Sequence, residues 1–509
     1  MIFYFPHNLN QNKMKSYIGK RGYVLIKKSW DPSVLNQIKK ELLIQPFQSG
    51  DYGEPDEPFP IYAENAQKMY IPKYYGLEKF GQPDEIKLDP GENIDLTFNG
   101  SLRSHQQEPI AKCMEAFGTY ATGRGGGILS LPCGEGKTAC ACYIISQLKK
   151  KTFVLVHKEF LLNQWVERIS DFLPNSRIGK IQGDVVDIEN KDIVIGMIQS
   201  ISMKQYPLDL FDSFGFVILD ESHRCPSRVF SKALAKINCT YMLGLSATPN
   251  RKDGLTKVLK WFIGDIIFQR IGKSALNSEL IRYVYCCKDE VYSKELTGYY
   301  GKLNSAGMIN NIASFMPRTN FIVEKIIECI RDMNRQVLIL SDRKEQLRDI
   351  ERVMAEKGIE IGYYIGGMKQ AALELSTKKL AILATYQMAA EGLDISTIDT
   401  IVLATPKTDI EQAVGRIRPK TGDSERNTPL VIDIVDEFSI FENQAFKRLA
   451  FYKKKNYEIT TTKVAKDGKV LSSYTYSPSV EGVEEEAQAP PKPQRRGFGF
   501  SKLKQAESK

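Results

Sequence analysis

The chain has 509 residues, of which 42% are hydrophobic and 26% charged, with a formal net charge of +9. That length holds about three domains at ~100–200 residues each, and the mixture is that of a globular protein rather than a fibrous or largely unstructured one. No apolar run approaches the ~20 residues of a membrane span, and the opening MIFYFPHNLNQNK lacks the basic start and small-residue cleavage site of a secretory signal, so an intracellular protein with no membrane partner is expected. The nine cysteines contain no C-x-x-C pair, which points to reduced thiols rather than a disulfide framework or a zinc site. The basic balance is compatible with a polyanionic partner and does not by itself establish one.

Residues 1–95 read as a small accessory domain. It has a strand-like run at 22–26, a helix from Asp31 to about Leu43 opened by Asp31-Pro32, and a loop QSGDYGEPDEPFP at 48–60. An aromatic segment, KMYIPKYYGLEKFG, follows. Its Tyr70, Tyr74 and Tyr75 suit either base stacking or core packing, of which core packing is the commoner use of such residues.

From Leu102 short apolar strands alternate with amphipathic helices, the pattern of α/β domains built on parallel sheets. The strands of the first series are GGILSLP (126–132), FVLVH (153–157), DIVIGM (192–197), FVILDE (216–221) and YMLGLSAT (241–248). A second series is QVLILS (336–341), IGYYIG (361–366), KLAILAT (379–385), TIVLAT (400–405) and PLVIDI (429–434). Two tandem parallel-sheet domains follow, at 96–275 and 276–465. The stretch 270–335 reads as connector with helices from Asn304 to Ser314 and from Thr319 to Met333. Residues 466–509, where apolar periodicity fades, read as a disordered tail.

Leu131-Pro132-Cys133-Gly134-Glu135-Gly136-Lys137-Thr138 follows a strand and precedes the helical run ACACYIISQLKK. In that setting it is a phosphate-binding loop. Cys133, Gly134, Glu135 and Gly136 would turn backbone N–H groups onto a polyphosphate at a helix N-terminus. Lys137 would reach the β- and γ-phosphates, and Thr138 would supply an oxygen to Mg²⁺. Leu131 stands where the general pattern has Gly, so the eight residues alone leave open a turn that binds no nucleotide. The strand FVILD supplies the context, because it ends in the acidic pair Asp220-Glu221 on the sheet edge where ligands bind in such folds. Asp220 suits Mg²⁺ coordination and Glu221 suits activation of the attacking water.

On these residues the chain resembles the superfamily 2 helicases from about Leu102 to Tyr457. Arg103 and Gln106 in LRSHQ are similar to the adenine-reading element, LPCGEGKT and DESH to the nucleotide motifs, and Ser246-Ala247-Thr248 to the coupling motif. ATYQMAAEGLD at 384–394 and QAVGR at 412–416 resemble the motifs of the second domain. The resemblance implies two RecA-like domains with ATP and Mg²⁺ in the cleft between them and nucleic acid as the partner. Gly392 and Asp394 would line that cleft, and Arg416 would aim across it at the γ-phosphate.

Within the superfamily the chain is most similar to XPB-like DNA translocases and to relatives of large DNA viruses, including the poxvirus transcript-release helicase. YIPKYYGLEKFG and DIVDEFSIFENQAFKRLAFYKKKNYEI carry the viral likeness. Two departures stand out. Arg251-Lys252-Asp253 stands where XPB has an Arg-Glu-Asp element, and the final motif Q-x-x-G-R-x-x-R has Pro419 in its last position, with Arg418 one residue early.

The resemblance also implies a nucleic-acid track along Lys158, Gln199, Ser200, Arg343 and Thr385. From the residues alone, a strand cap at Thr385 and solvated charges at Lys158 and Arg343 stay open. The expected activity is a nucleic-acid-stimulated ATPase that translocates on or opens a strand, with DNA favoured over RNA and transcription or repair machinery as the setting. Lys137, Thr138, Asp220, Glu221 and Arg416 together argue against a decayed, non-catalytic scaffold.

Overall fold

The computed structural model describes residues 14–45, 57–132, 134–207, 209–221, 227–247, 256–270, 278–298, 301, 303–392, 395, 397–415 and 427–478. Its first α/β sheet has eight strands, in the order 185–187, 178–182, 193–197, 152–156, 216–219, 241–246, 126–130 and 266–269. All neighbours are parallel except the outermost pair.

Parallel strands must bury both faces, which explains why FVLV after Thr152 and FVIL at 216–219 are unbroken apolar runs with every side chain buried. Alternate residues of one strand serve opposite layers. Val154 and Val156 join Trp165 and Ile169 under the helix Glu159–Phe172, and Phe153 and Leu155 pack on the other side with Ile198 and Phe230. Each expected strand of this series is present, shorter at its polar end by one or two residues in most cases.

The N-terminal residues form a five-stranded sheet, in the order 63–64, 68–71, 22–26, 16–19 and 85–86, flanked by helices Pro32–Glu41 and Lys73–Phe80. Asp31 caps the first helix by accepting the Ser33 backbone N–H at 2.8 Å. The region does not close a core of its own. Ile18, Tyr23, Met69, Tyr75 and Leu77 belong to the same buried cluster as Val258, Leu259 and Ile263 of the first α/β domain. Tyr75 meets Trp261 edge-on with ring centroids 5.1 Å apart, Tyr74 Oη accepts from the Gly125 N–H at 3.3 Å, and Tyr70 lies under the Arg21 guanidinium at 5.2 Å. Core packing is thus what Tyr74 and Tyr75 do.

The second α/β sheet also has eight strands, in the order 361–364, 381–384, 337–340, 400–403, 430–436, 279–286, 458–465 and 470–476. Five were expected. Glu279–Cys286 lies inside the stretch read as connector, and it pairs in parallel with 430–436 on one side and 458–465 on the other. The expected tail also needs correction over 466–478. The chain turns at Gly468 (φ 81°) and Val470–Tyr476 returns antiparallel to Glu458–Ala465. All seven of its side chains are exposed, so it depends on ladder hydrogen bonds and carries no apolar alternation.

Candidate nucleotide site and nucleic-acid edge

Three adjacent strands, 216–219, 241–246 and 126–130, bring their C-terminal ends to one edge of the first sheet. The loop leaving the third has Gly134 at φ 79° and Gly136 at φ 78°, a backbone that side chains bearing a Cβ rarely adopt. Gly136 is the N-cap of the helix Lys137–Leu148, so the helix begins with its free N–H groups at this edge. A Cβ on Gly136 would fall 2.2 Å from Gln106 Nε2, so besides the strain of its φ a side chain there would have to displace the Gln106 amide.

Inside this cradle the Lys137 ammonium donates to the Leu131 carbonyl at 3.2 Å and stands 3.9 Å from Glu221 Oε1. Asp220 is buried, accepts Trp165 Nε1–H at 2.9 Å on one oxygen and the Glu221 N–H at 2.9 Å on the other. Burial, and then the neighbouring Glu221 carboxylate, hold the Asp220 carboxyl well above the usual range. Glu221 has φ 46°, a left-handed backbone at a residue that is not glycine, and such strain gathers at functional sites. The arrangement suits a polyphosphate with a divalent cation, since the glycine cradle leaves room for oxygens and the Thr138–Asp220 pair supplies hard oxygen donors.

Residues at the start of the helix Ser104–Phe117 buttress the loop. Gln106 is buried, accepts the Arg103 N–H at 2.9 Å and donates to the Glu135 carbonyl at 3.1 Å. Arg270, just beyond the last strand of the sheet, donates to Glu135 Oε2 at 2.8 Å and to the His105 carbonyl at 3.0 Å. Sequence reasoning missed Trp165 and Arg270. Nothing local marks either, because each acts on a residue more than 50 positions away.

Lys158, Gln199 and Ser200 follow the adjacent strands 152–156 and 193–197 at the same edge of the sheet. Gln199 Nε2 donates to the His157 carbonyl at 2.8 Å and Ser200 Oγ accepts the Gly183 N–H at 3.1 Å, so the side chains of both tie this edge together. In the second domain Arg343 and Thr385 follow the adjacent strands 337–340 and 381–384. The Arg343 guanidinium donates to the carbonyls of Ala306 and Asp342, both at 3.1 Å, and Thr385 Oγ1 lies 3.4 Å from the Met388 N–H at the start of the helix Tyr386–Gly392. Gly392 closes that helix. Cys133, Thr248, Arg251, Lys252, Asp253, Asp394, Arg416, Arg418 and Pro419 lie outside the described residues.

Residues 99–251 match the family model "Type III restriction enzyme, res subunit", and residues 321–418 match "Helicase conserved C-terminal domain". A protein of Acanthamoeba polyphaga mimivirus, described as "Putative ATP-dependent RNA helicase", is 36% identical over 462 residues, covering 88% of this chain and 87% of that one. A protein of African swine fever virus (isolate Pig/Kenya/KEN-50/1950) with the same description is 27% identical over 392 residues, 70% of this chain and 74% of that one. One of Invertebrate iridescent virus 6, "Putative helicase", is 24% identical over 465 residues, 84% of this chain and 98% of that one. Among solved structures, S. cerevisiae Dbp5 bound to RNA and ADP BeF3 is 13% identical and covers 72% of this chain and 95% of its own, with a TM-score of 0.46. The long match to the mimivirus protein and the two family models place this chain among the superfamily 2 helicases of large DNA viruses, as a nucleic-acid-dependent ATPase.

Proposed function

We propose that this chain is an ATP-driven motor that moves along or opens DNA, in transcription or repair. The observation that carries the nucleotide chemistry is the meeting of the Lys137 ammonium with the Glu221 carboxylate, 3.9 Å apart, beside buried Asp220 under a glycine-built helix N-terminus. Lys137 and the N–H groups of Gly134, Glu135 and Gly136 bind the β- and γ-phosphates, with Cys133 completing the loop. Arg103 and Gln106 lie on the adenine side. Thr138 and Asp220 would hold Mg²⁺, which would offset phosphate charge. Glu221 takes the proton of the attacking water. Arg416, with Arg418 beside it, comes from the second domain to stabilise charge on the transferring phosphoryl group, together with Gly392 and Asp394 in the cleft wall. Hydrolysis then requires cleft closure, and closure moves the two halves of the track, Lys158, Gln199 and Ser200 against Arg343 and Thr385.

A motor that steps through every sequence holds the sugar-phosphate backbone, so its binding weakens steeply with salt. The match of residues 99–251 to a restriction-enzyme subunit supports DNA as the track. The descriptions of the mimivirus and African swine fever virus proteins support a second reading, an RNA helicase. ATP turnover measured with duplex DNA, single-stranded DNA and RNA separates them. Stimulation by DNA is expected, and stimulation by RNA alone would overturn the first reading.

A further inference from the structure

Where the strand Thr400–Leu403 ends, the chain runs through Ala404-Thr405-Pro406-Lys407 before it reaches the helix Glu411–Val414 and, two residues later, Arg416. Side chains from three helices hold this short segment. The fully buried Arg318 donates to the Ala404 carbonyl at 2.7 Å while its other nitrogens grip both oxygens of Asp436 at 2.7 and 2.8 Å. Buried Arg448 donates to the Lys407 carbonyl at 2.9 Å and pairs with Asp433 at 2.9 Å. Tyr386 Oη donates to the Thr405 carbonyl at 2.8 Å. Two further bonds leave the segment for Asp342: the Asp342 N–H donates to Thr405 Oγ1 at 2.9 Å and the Lys407 ammonium donates to Asp342 Oδ2 at 2.8 Å.

Asp342 and Tyr386 are the immediate neighbours of Arg343 and Thr385, the two strand-facing residues of this domain. The two guanidiniums, fixed below by aspartates of the strand Leu430–Asp436, form a rigid floor. The Lys407–Asp342 pair differs, since its side chains are 39% and 24% exposed. It sits where a pull on Arg343 reaches first, because the Arg343 guanidinium also bonds the Asp342 carbonyl.

We propose that Asp342, Tyr386, Thr405 and Lys407 are positioning residues that transmit strand binding at Arg343 and Thr385 to the segment carrying Arg416. The inference rests on the roles proposed above for those three residues. Capture of a backbone phosphate shifts the Asp342 peptide, and Thr405 and Lys407 follow it, re-aiming the helix Glu411–Val414, whose Ala413 and Val414 are buried and which precedes Arg416 by two residues in the sequence. ATP hydrolysis then rises only when a strand is held. Coupling between two sites is a difference between two states and is read as the ratio of stimulated to basal turnover.

The test uses the full chain with Lys407→Met, Asp342→Asn and the conservative Lys407→Arg. Basal turnover, maximal stimulated turnover and the oligonucleotide concentration for half-maximal stimulation are measured for each. The first two variants should keep basal turnover and half-maximal concentration within about twofold and lose about fivefold or more of the stimulated maximum, with Lys407→Arg recovering most of it. Undiminished stimulation in both would overturn the proposal, and so would basal and stimulated turnover falling in parallel, the mark of a merely structural role. Arg416→Ala keeps the two levels apart. If that variant hydrolyses normally, the role given to the arginine has failed. If it abolishes stimulated turnover while Lys407→Met and Asp342→Asn do nothing, only the coupling proposal has failed.

Discussion

Gly136→Ala adds one methyl group to the phosphate loop, and its consequences can be worked out from two measured features. The residue sits at φ 78° and ψ 41°, a left-handed conformation that costs alanine about 1–2 kcal/mol. The new Cβ would lie 2.2 Å from Gln106 Nε2, far inside contact distance. Gln106 is buried, and moving its amide away breaks the 3.1 Å bond to the Glu135 carbonyl. Leaving such a group unpaired costs about 1–3 kcal/mol. The two terms together come to about 2–5 kcal/mol, shared between folding stability and the return of the loop to its phosphate-binding shape. If the loop takes most of it, ATP affinity falls about thirtyfold or more, at tenfold per ~1.4 kcal/mol. Fluorescent-nucleotide titration and thermal unfolding of the same preparation measure both shares. Unchanged affinity together with an unchanged melting temperature in Gly136→Ala would refute the loop geometry as the phosphate cradle.

Trp165→Phe removes the indole N–H from Asp220 Oδ2, a donor to a buried carboxylate of the kind worth about 1.5–3 kcal/mol. Thermal unfolding of the metal-free chain should show Trp165→Phe less stable by about that amount; an unchanged melting temperature would argue against the bond's importance. Lys73 is fully buried between the N-terminal region and the first α/β domain, with the Cys239 carbonyl at 3.2 Å, and burial pushes its ammonium from 10.5 down to about 8. Because the unfolded chain binds this proton more tightly, stability should climb as pH rises from about 8 to about 10.5, by on the order of 3 kcal/mol, and denaturation of Lys73→Met should show that slope flattened. Gly76→Ala would place a Cβ within 2.2–2.5 Å of three atoms of the buried Tyr23, and should lower stability by about 1–3 kcal/mol as a core overpacked by one methyl. A melting temperature equal to wild type would show that this helix shifts freely.

What could be read from the sequence followed how local its physics is. The strands under two helix layers stood out because burial on both faces leaves an unbroken apolar run, as in FVIL at 216–219. The turn before the helix Lys137–Leu148 was legible for a similar reason, since its conformation is set by its own glycines, Gly134 and Gly136, at positive φ. Glu279–Cys286 escaped because ELIRYVYC is interrupted by Arg282, whose stem the sheet buries, and by tyrosines that pack against Phe321. Val470–Tyr476 escaped for the opposite reason, having no buried face from which a period could arise. The N-terminal region reads as a separate domain only because a sequence does not show that Tyr75 needs Trp261 to cover it. At the site, Trp165 on Asp220 and Lys407 on Asp342 join residues 55 and 65 positions apart, and no spacing rule reaches that far.

The central claim is that ATP is hydrolysed at Lys137, Asp220 and Glu221 under control of a bound strand. ATP turnover of wild type and Glu221→Gln, each with and without duplex DNA, tests it most directly. The account predicts a DNA-dependent rise in wild type and a near-complete loss of turnover in Glu221→Gln with nucleotide binding retained; a Glu221→Gln enzyme that turns over ATP like wild type would contradict it.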